Sequence, residues 1–132
     1  IHTSGVSTVG DALVAVSLPP RVQPDAPDLA DFVRVVQVSQ AVRRSGSAAL
    51  NLAYVACGRL DAFWATHIQP WDVAAGILLI REAGSHVTGR DGGRFDLRSP
   101  HFTAASGQTL HGELMGVLSP ASKSLRAEDR SR

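Results

Sequence analysis

Asp72 is the side chain best placed to do chemistry. It follows Pro70-Trp71 and opens an apolar periodic stretch, so it falls in the first turn of a helix reached from a short strand. A carboxylate there is favoured by the helix dipole by roughly 0.3–1 kcal/mol, and it can point out of a sheet edge toward a ligand. The same position suits a plain N-terminal capping acid. Gly46-Ser47-Ala48 is the second candidate. A Gly-Ser-Ala turn entering a helix presents backbone N–H groups and a hydroxyl, suited to hydrogen bonding with hydroxyls or phosphate oxygens. Its alternative is an ordinary helix cap by Ser47. Arg43 and Arg44, just upstream, can reach a phosphate or simply be solvated.

Other chemistry lacks an anchor. There is no G-x-S-x-G elbow for a serine hydrolase, and neither G-x-G-x-x-G nor G-x-x-x-x-G-K-[ST] for a nucleotide. The five histidines, His2, His67, His86, His101 and His111, lack metal-ligand spacing, and Cys57, the one cysteine, has no partner. Trp64 and Trp71 read as core or rim packing rather than stacking platforms.

The elements that must position these residues follow from periodicity and punctuation. Asp11 to Leu18 is an apolar run ended by Pro19-Pro20, as in a buried strand. Asp28 is expected to cap a helix whose inner face is Leu29, Phe32, Val33 and Val36, at i, i+3, i+4 and i+7. A second helix opens at Ser45-Gly46-Ser47 and runs to about Cys57, with Gly58 as its left-handed cap. Its alanines, Ala48, Ala49, Ala53 and Ala56, make it thin enough for close approach. Ala62-Phe63-Trp64-Ala65 predicts a strand. The next helix starts at Pro70, where the missing N–H costs nothing, and ends near Glu82-Ala83-Gly84. Strands follow at His86-Val87-Thr88 and Phe102 to Ala105, with a tight turn at Asp91-Gly92-Gly93 between them. A last helix carries Leu110, Leu114, Val117 and Leu118 on one face. Residues 119–132 hold one large apolar side chain, Leu125, and are expected to be a disordered tail. Alternating strands and helices indicate an α/β fold, a mainly parallel or mixed sheet flanked by helices on both faces. In such folds the ligand crevice lies at strand C-terminal ends and helix N-termini, which is where Gly46 and Asp72 fall.

Composition narrows the function classes. The 132 residues suffice for one domain. Thirteen basic against twelve acidic side chains give a net charge of +1, no field for nucleic acid or a membrane surface. No apolar run approaches the roughly 20 residues that span a bilayer. A single cysteine excludes an internal disulfide, so a reducing, cytoplasmic setting is the expectation. The chain opens on Ile1 and holds one methionine, Met115; the expectation is a fragment or a processed chain.

Trp71-Asp72-Val73-Ala74-Ala75-Gly76 followed by Glu82-Ala83-Gly84 resembles the C-terminal signature of the inositol monophosphatase family, W-D-x-A-[AG]-G and E-A-G-G. Gly46-Ser47-Ala48-Ala49-Leu50 with Ala56-Cys57-Gly58-Arg59-Leu60-Asp61 resembles its G-[ST]-A-A-L … A-x-G-x-x-D block. Gly92 to Leu97 and the Ala104-Ala105 strand resemble the segments that follow, so the likeness runs from about residue 10 to 118. The resemblance implies the C-terminal layer of an αβαβα sandwich, with residues 1–118 as that domain. It implies a phosphatase of small polyol or sugar phosphates that uses Mg²⁺ to activate water and stabilise both oxygens of an in-line displacement. By position, Asp72 is similar to a metal-binding aspartate that also contacts substrate. Gly46, Ser47 and Ala48 are similar to the segment that contacts the polyol.

Departures limit what this chain does alone. The family's Glu-Glu segment and D-P-[IL]-D-G-T loop are absent, and one carboxylate cannot complete the octahedral shells of Mg²⁺. No catalytic residue is therefore assigned, and the missing N-terminal half is an expected partner, in cis or in trans. Ala65 stands seven residues before Asp72, where the family often has an inositol-contacting glutamate, and Ser85 replaces the last glycine of E-A-G-G. The competing reading is a non-catalytic binding module or split-enzyme subunit. An isolated half is also expected to expose apolar surface and to homodimerise.

Overall fold

The computed structural model describes residues 1–118; the tail expectation for 119–132 lies outside the described residues. Five strands, β1 (Leu13–Ser17), β2 (Ala41–Arg43), β3 (Ala62–Ala65), β4 (His86–Gly89) and β5 (Phe102–Ala105), form one sheet in the order β2-β1-β3-β5-β4. β1 pairs in parallel with β2 and β3, while β5 is antiparallel to both β3 and β4. The sheet is thus mixed. Helices α1 (Pro27–Val38), α2 (Ala48–Ala56), α3 (Pro70–Glu82) and α4 (residues 108–118) cover it.

Period-two alternation along β3 divides the core. Phe63 and Ala65 join Leu52, Val55, Val73, Ile77 and Ile80 under α2 and α3. Ala62 and Trp64 join Val35, Leu110, Leu114 and Leu118 under α1 and α4. Both faces are covered, as the sequence indicates. Phe63 meets Phe102 edge to face, with centroids 5.2 Å apart, which ties β3 to β5.

The expected stops are observed. Gly58 and Gly84 end α2 and α3 in the left-handed region, at φ of 84° and 85°. The thin α2 does allow close approach, and the closest point is Gly76 of α3. A Cβ there would lie 2.5 Å from Leu52 Cδ1 and 2.7 Å from its Cβ. Leu52 is fully buried and cannot withdraw. Gly76→Ala is therefore expected to cost about 1–3 kcal/mol by overpacking, beyond the helix propensity it gains. Gly112→Ala, in α4 with open space around it, should gain up to about 1 kcal/mol. Urea unfolding of the two variants checks the opposite signs.

Two expectations about α1 and its surroundings are corrected. Asp28 does not cap α1. Ala26 is the N-cap, Pro27 opens the helix, and the Asp28 carboxylate turns inward to Thr66. The inner face also differs in part: Phe32 packs against the core as expected, but the two valines do not. Val33 and Val36 are 46% and 49% exposed, whereas Asp28, Asp31 and Val35 are buried. The physical reason is a guanidinium: Arg90, at the end of β4, is buried beneath α1 and draws Asp31 toward it at 2.6 Å. The paired arginines also begin inside an element, since Arg43 ends the short edge strand β2.

Candidate active-site edge

Strand directions gather the candidate residues on one edge of the sheet. β1, β2, β3 and β4 all run the same way, so the segments that leave them emerge together, and the residue that enters β5 lies at the same edge. Arg44 and Gly46 follow β2, Thr66 and His67 follow β3, Arg90 follows β4, and His101 precedes β5. Gly46, Ser47 and Ala48 start α2, and Asp72 lies in the first turn of α3. The two motifs singled out in the sequence therefore share one edge, on the face carrying α2 and α3.

The loop before α2 is held by its own side chains. The Ser45 hydroxyl donates to Asn51 Oδ1 at 2.7 Å, and the Ser47 N–H points back to Ser45 Oγ at 3.3 Å. Gly46 takes φ 82°, which a side chain would strain. Ser47 Oγ accepts from the Leu50 N–H at 3.2 Å, so the capping alternative for Ser47 is realised. A capped N-terminus still carries N–H groups without intrahelical partners, and its dipole favours an anion.

Asp72 is exposed. One of its oxygens, Oδ2, accepts from the Gln69 N–H at 3.3 Å, a long contact that serves as a helix cap and leaves Oδ1 toward solvent. Among the described residues no group of three or more His, Cys, Asp or Glu could hold a metal. Asp72 thus offers one carboxylate to a cation, not a complete site. Ala65 is fully buried beneath the α2–α3 face. Trp64 is core, as read from the sequence, while Trp71 is 77% exposed and lies outside the core of the described residues.

Sequence reasoning missed a charged network on this edge. Asp31 is fully buried, with Oδ1 bound by Arg34 and Oδ2 by Arg90. Burial pushes its carboxyl up from the ordinary range, against the pull of Arg90 and Arg34. Two guanidinium groups on its two oxygens keep the carboxylate as the form held there. Burial likewise pulls Arg90 down, opposed by Asp31. Alongside, Asp28 Oδ1 accepts from Thr66 Oγ1 at 3.0 Å, and Oδ2 lies 3.4 Å from His67 Nδ1. His67 Nδ1 is 3.1 Å from Thr66 Oγ1, and the His67 backbone N–H donates to His101 Nδ1 at 3.2 Å. The contacts of Arg90 with Asp31, of Thr66 with Asp28 and of His67 with His101 join residues 59, 38 and 34 positions apart, so no local pattern announces them.

A second histidine pair lies away from this edge. His86 and His111 meet edge to face with centroids 4.5 Å apart, and Thr88 Oγ1 is 2.8 Å from His111 Nε2. Burial first, then His86, pushes His111 down to about 4. Because this lies below the unfolded value of 6.5, the unfolded chain takes up the proton first on acidification. Stability is full above about pH 6.5 and falls as the pH drops toward 4, by an amount of order 3 kcal/mol. Chemical unfolding between pH 7 and 4 should show that slope, and His111→Gln should flatten it.

The edge is that of a doubly covered α/β layer with an exposed carboxylate beside two helix N-termini. The sequence profile of the inositol monophosphatase family matches residues 1–123, and the chain belongs to that family. An inositol-1-monophosphatase of Synechocystis is 47% identical over 88 residues, 67% of this chain and 30% of that protein. The solved inositol monophosphatase of Anabaena superposes with a TM-score of 0.83 at 38% identity, covering 91% of this chain and 48% of that one. A protein of Xylella fastidiosa named Nus factor SuhB is 57% identical over 65 residues, 47% of this chain and 24% of its own. The chain thus spans less than half the length of these relatives.

Proposed function

We propose that this chain is the C-terminal, substrate-side layer of a Mg²⁺-dependent phosphomonoesterase acting on inositol monophosphate or a related small sugar or polyol phosphate. The observation that carries the reading is the shared edge: Asp72 with an oxygen open to solvent, beside the N-terminus of α2 at Gly46-Ser47-Ala48. Asp72 would hold one Mg²⁺ and contact substrate, while the backbone of Gly46 to Ala48 would bind the polyol. Bound Mg²⁺ would supply an activated water and neutralise charge on the phosphoryl group. The other metal ligands come from a second part of the protein, in cis or in trans, since one carboxylate cannot complete the shell.

The outward face of α3 supports that division. Trp71, Leu78 and Leu79, at i, i+7 and i+8, are 77%, 61% and 41% exposed. The opposite face already buries Val73, Ile77 and Ile80. A helix apolar all round is made to be covered on both sides. The N-terminal half, or in its absence a second copy, is the cover we assign. Among the described residues no helix is long and apolar enough to cross a membrane.

The experiment is co-expression of this chain with the N-terminal half of the Anabaena relative, followed by phosphate release from myo-inositol 1-phosphate and other small phosphomonoesters with Mg²⁺. Hydrolysis by the assembled pair and by neither part alone is expected. A folded assembly inert toward every ester would refute the reading. The alternative, a non-catalytic binding module, is favoured by the solitary carboxylate and by the Nus-factor name of the Xylella relative; that inert assembly would be its signature.

A further inference from the structure

Only residues 66–69 separate the end of β3 from the start of α3, the helix that carries Asp72. Most of that short connection follows from ordinary backbone rules. Gln69 caps α3 at φ −94° and ψ 150°, the extended region that a following proline demands, and Pro70 enters the helix with its φ already set. Ile68 is buried in the core under α2 and α3. His67 is the exception. It is the only non-glycine among the described residues with positive φ, at 58°. A Cβ disfavours that region, so a residue other than glycine stays there only where its surroundings impose it.

The surroundings of His67 come from three parts of the chain. Its backbone N–H donates to Nδ1 of His101, just before β5, at 3.2 Å. Its ring Nδ1 lies 3.1 Å from Thr66 Oγ1 and 3.4 Å from Oδ2 of Asp28, which belongs to α1. Thr66 gives its own hydroxyl proton to Asp28 Oδ1 at 3.0 Å, so Nδ1 is the donor toward both. Asp28 and Thr66 are buried, where such hydrogen bonds are stronger than at the surface. His101 is held in turn, because its carbonyl accepts from the Arg90 N–H at 3.2 Å. The ring and backbone of His67 thus tie a left-handed turn to α1 and to the entry of β5. Two residues further on, the Gln69 N–H meets Asp72 Oδ2 at 3.3 Å, so the course of the turn sets where that carboxylate stands.

We infer that His67 is a positioning residue for Asp72: its ring, held by Asp28 and Thr66, locks a left-handed turn that fixes the start of α3 at the sheet edge. The consequence for catalysis rests on the phosphomonoesterase reading above; the lock itself does not. The imidazole contacts no substrate on this account. Its task is one that a glycine backbone performs unaided, since glycine enters the left-handed region freely.

The test compares His67→Ala with His67→Gly. Both remove the ring, but only alanine keeps the cost of a left-handed backbone. The enzyme is assembled with the N-terminal half of the Anabaena relative and assayed at limiting Mg²⁺ on the phosphomonoester it cleaves best. His67→Ala should lower kcat/KM about ten-fold, the lower end for a group acting one layer behind a metal ligand. His67→Gly should exceed the alanine variant by about the same factor. Asp28→Ala should fall like His67→Ala, and adding His67→Gly to it should recover most of the loss. Equal falls in the alanine and glycine variants would give the ring a direct role in the reaction and overturn the positioning role. A double variant no better than Asp28→Ala would overturn the lock by Asp28.

A second readout needs neither metal nor turnover. In the chain alone, the ¹³Cα and ¹³Cβ shifts of residue 67 should stay left-handed in His67→Gly and leave that region in His67→Ala and Asp28→Ala, with unfolding midpoints showing that each variant is folded. Left-handed shifts retained in folded Asp28→Ala would overturn the lock. A turn that responds as expected in a protein that cleaves no ester would refute the phosphatase reading alone. Turnover that is equal in His67→Ala and His67→Gly would refute the positioning role alone.

Discussion

Asp31→Ala should destabilise the fold by about 3–5 kcal/mol, among the largest effects expected of any single substitution in this chain. Asp31 is fully buried and Arg90 is 2% exposed, so removing this carboxylate takes away the larger of the two carboxylate charges that offset the desolvation of the guanidinium, with Asp28 supplying the other. Both Asp31 oxygens are used, one by Arg34 and one by Arg90. Arg34 is partly exposed and can turn to water, whereas Arg90 cannot. Arg34→Ala should therefore cost much less, about 1 kcal/mol. Replacing Asp31 and Arg90 together by leucine should recover most of the loss, because a buried pair often gives way to apolar side chains at little net cost. Urea unfolding of the two single variants and the double variant closes the cycle. Equal losses for Asp31→Ala and Arg34→Ala would show that Arg90 is not the dominant partner.

Asp72→Asn should leave the chain folded and abolish what it contributes to phosphate release. As a helix-terminal acid, Asp72 makes one long hydrogen bond, to Gln69, and a favourable dipole interaction; together these are worth about 1 kcal/mol or less. As a metal ligand it matters far more. Losing a partner one layer beyond the ligands typically costs 10–100-fold in affinity or activity, and a ligand itself should exceed about 100-fold. Asparagine keeps the shape and removes the charge. Activity of the assembled enzyme, measured at rising Mg²⁺ beside its unfolding midpoint, separates the two roles. A large loss of activity at unchanged stability supports the metal role. A small, parallel loss of both would return Asp72 to capping alone.

The sequence foretold some elements better than others, for physical reasons. Pro70, Gly58 and Gly84 are local punctuation, and the ends they mark in α2 and α3, like the strand Ala62–Ala65, appear where they were expected. The family signature around Asp72 and Gly46 was likewise readable, because those motifs are contiguous. The orientation of α1 was not. Its apolar repeat pointed to Leu29, Phe32, Val33 and Val36, yet a buried Arg90 from 59 positions away selected the face that carries Asp31. Sheet order was equally hidden, since the antiparallel insertion of β5 between β3 and β4 depends on pairings no local pattern records. The Asp28–Thr66–His67–His101 cluster combines both difficulties: each residue is unremarkable in its own segment, and the strand register alone brings them together.

Paramagnetic broadening by Mn²⁺ tests the placement of the site most directly. The chain, labelled with ¹⁵N and assembled with an unlabelled N-terminal half, is titrated with substoichiometric Mn²⁺ in place of Mg²⁺. Amide signals of Gly46 to Ala48 and of Trp71 to Val73 should vanish first and return on excess Mg²⁺. Signals around Glu113 and His86, on other parts of the fold, should persist. Early loss at those distant positions, with Asp72 and Gly46 left sharp, would contradict the claim that this edge is the metal and substrate side of the enzyme.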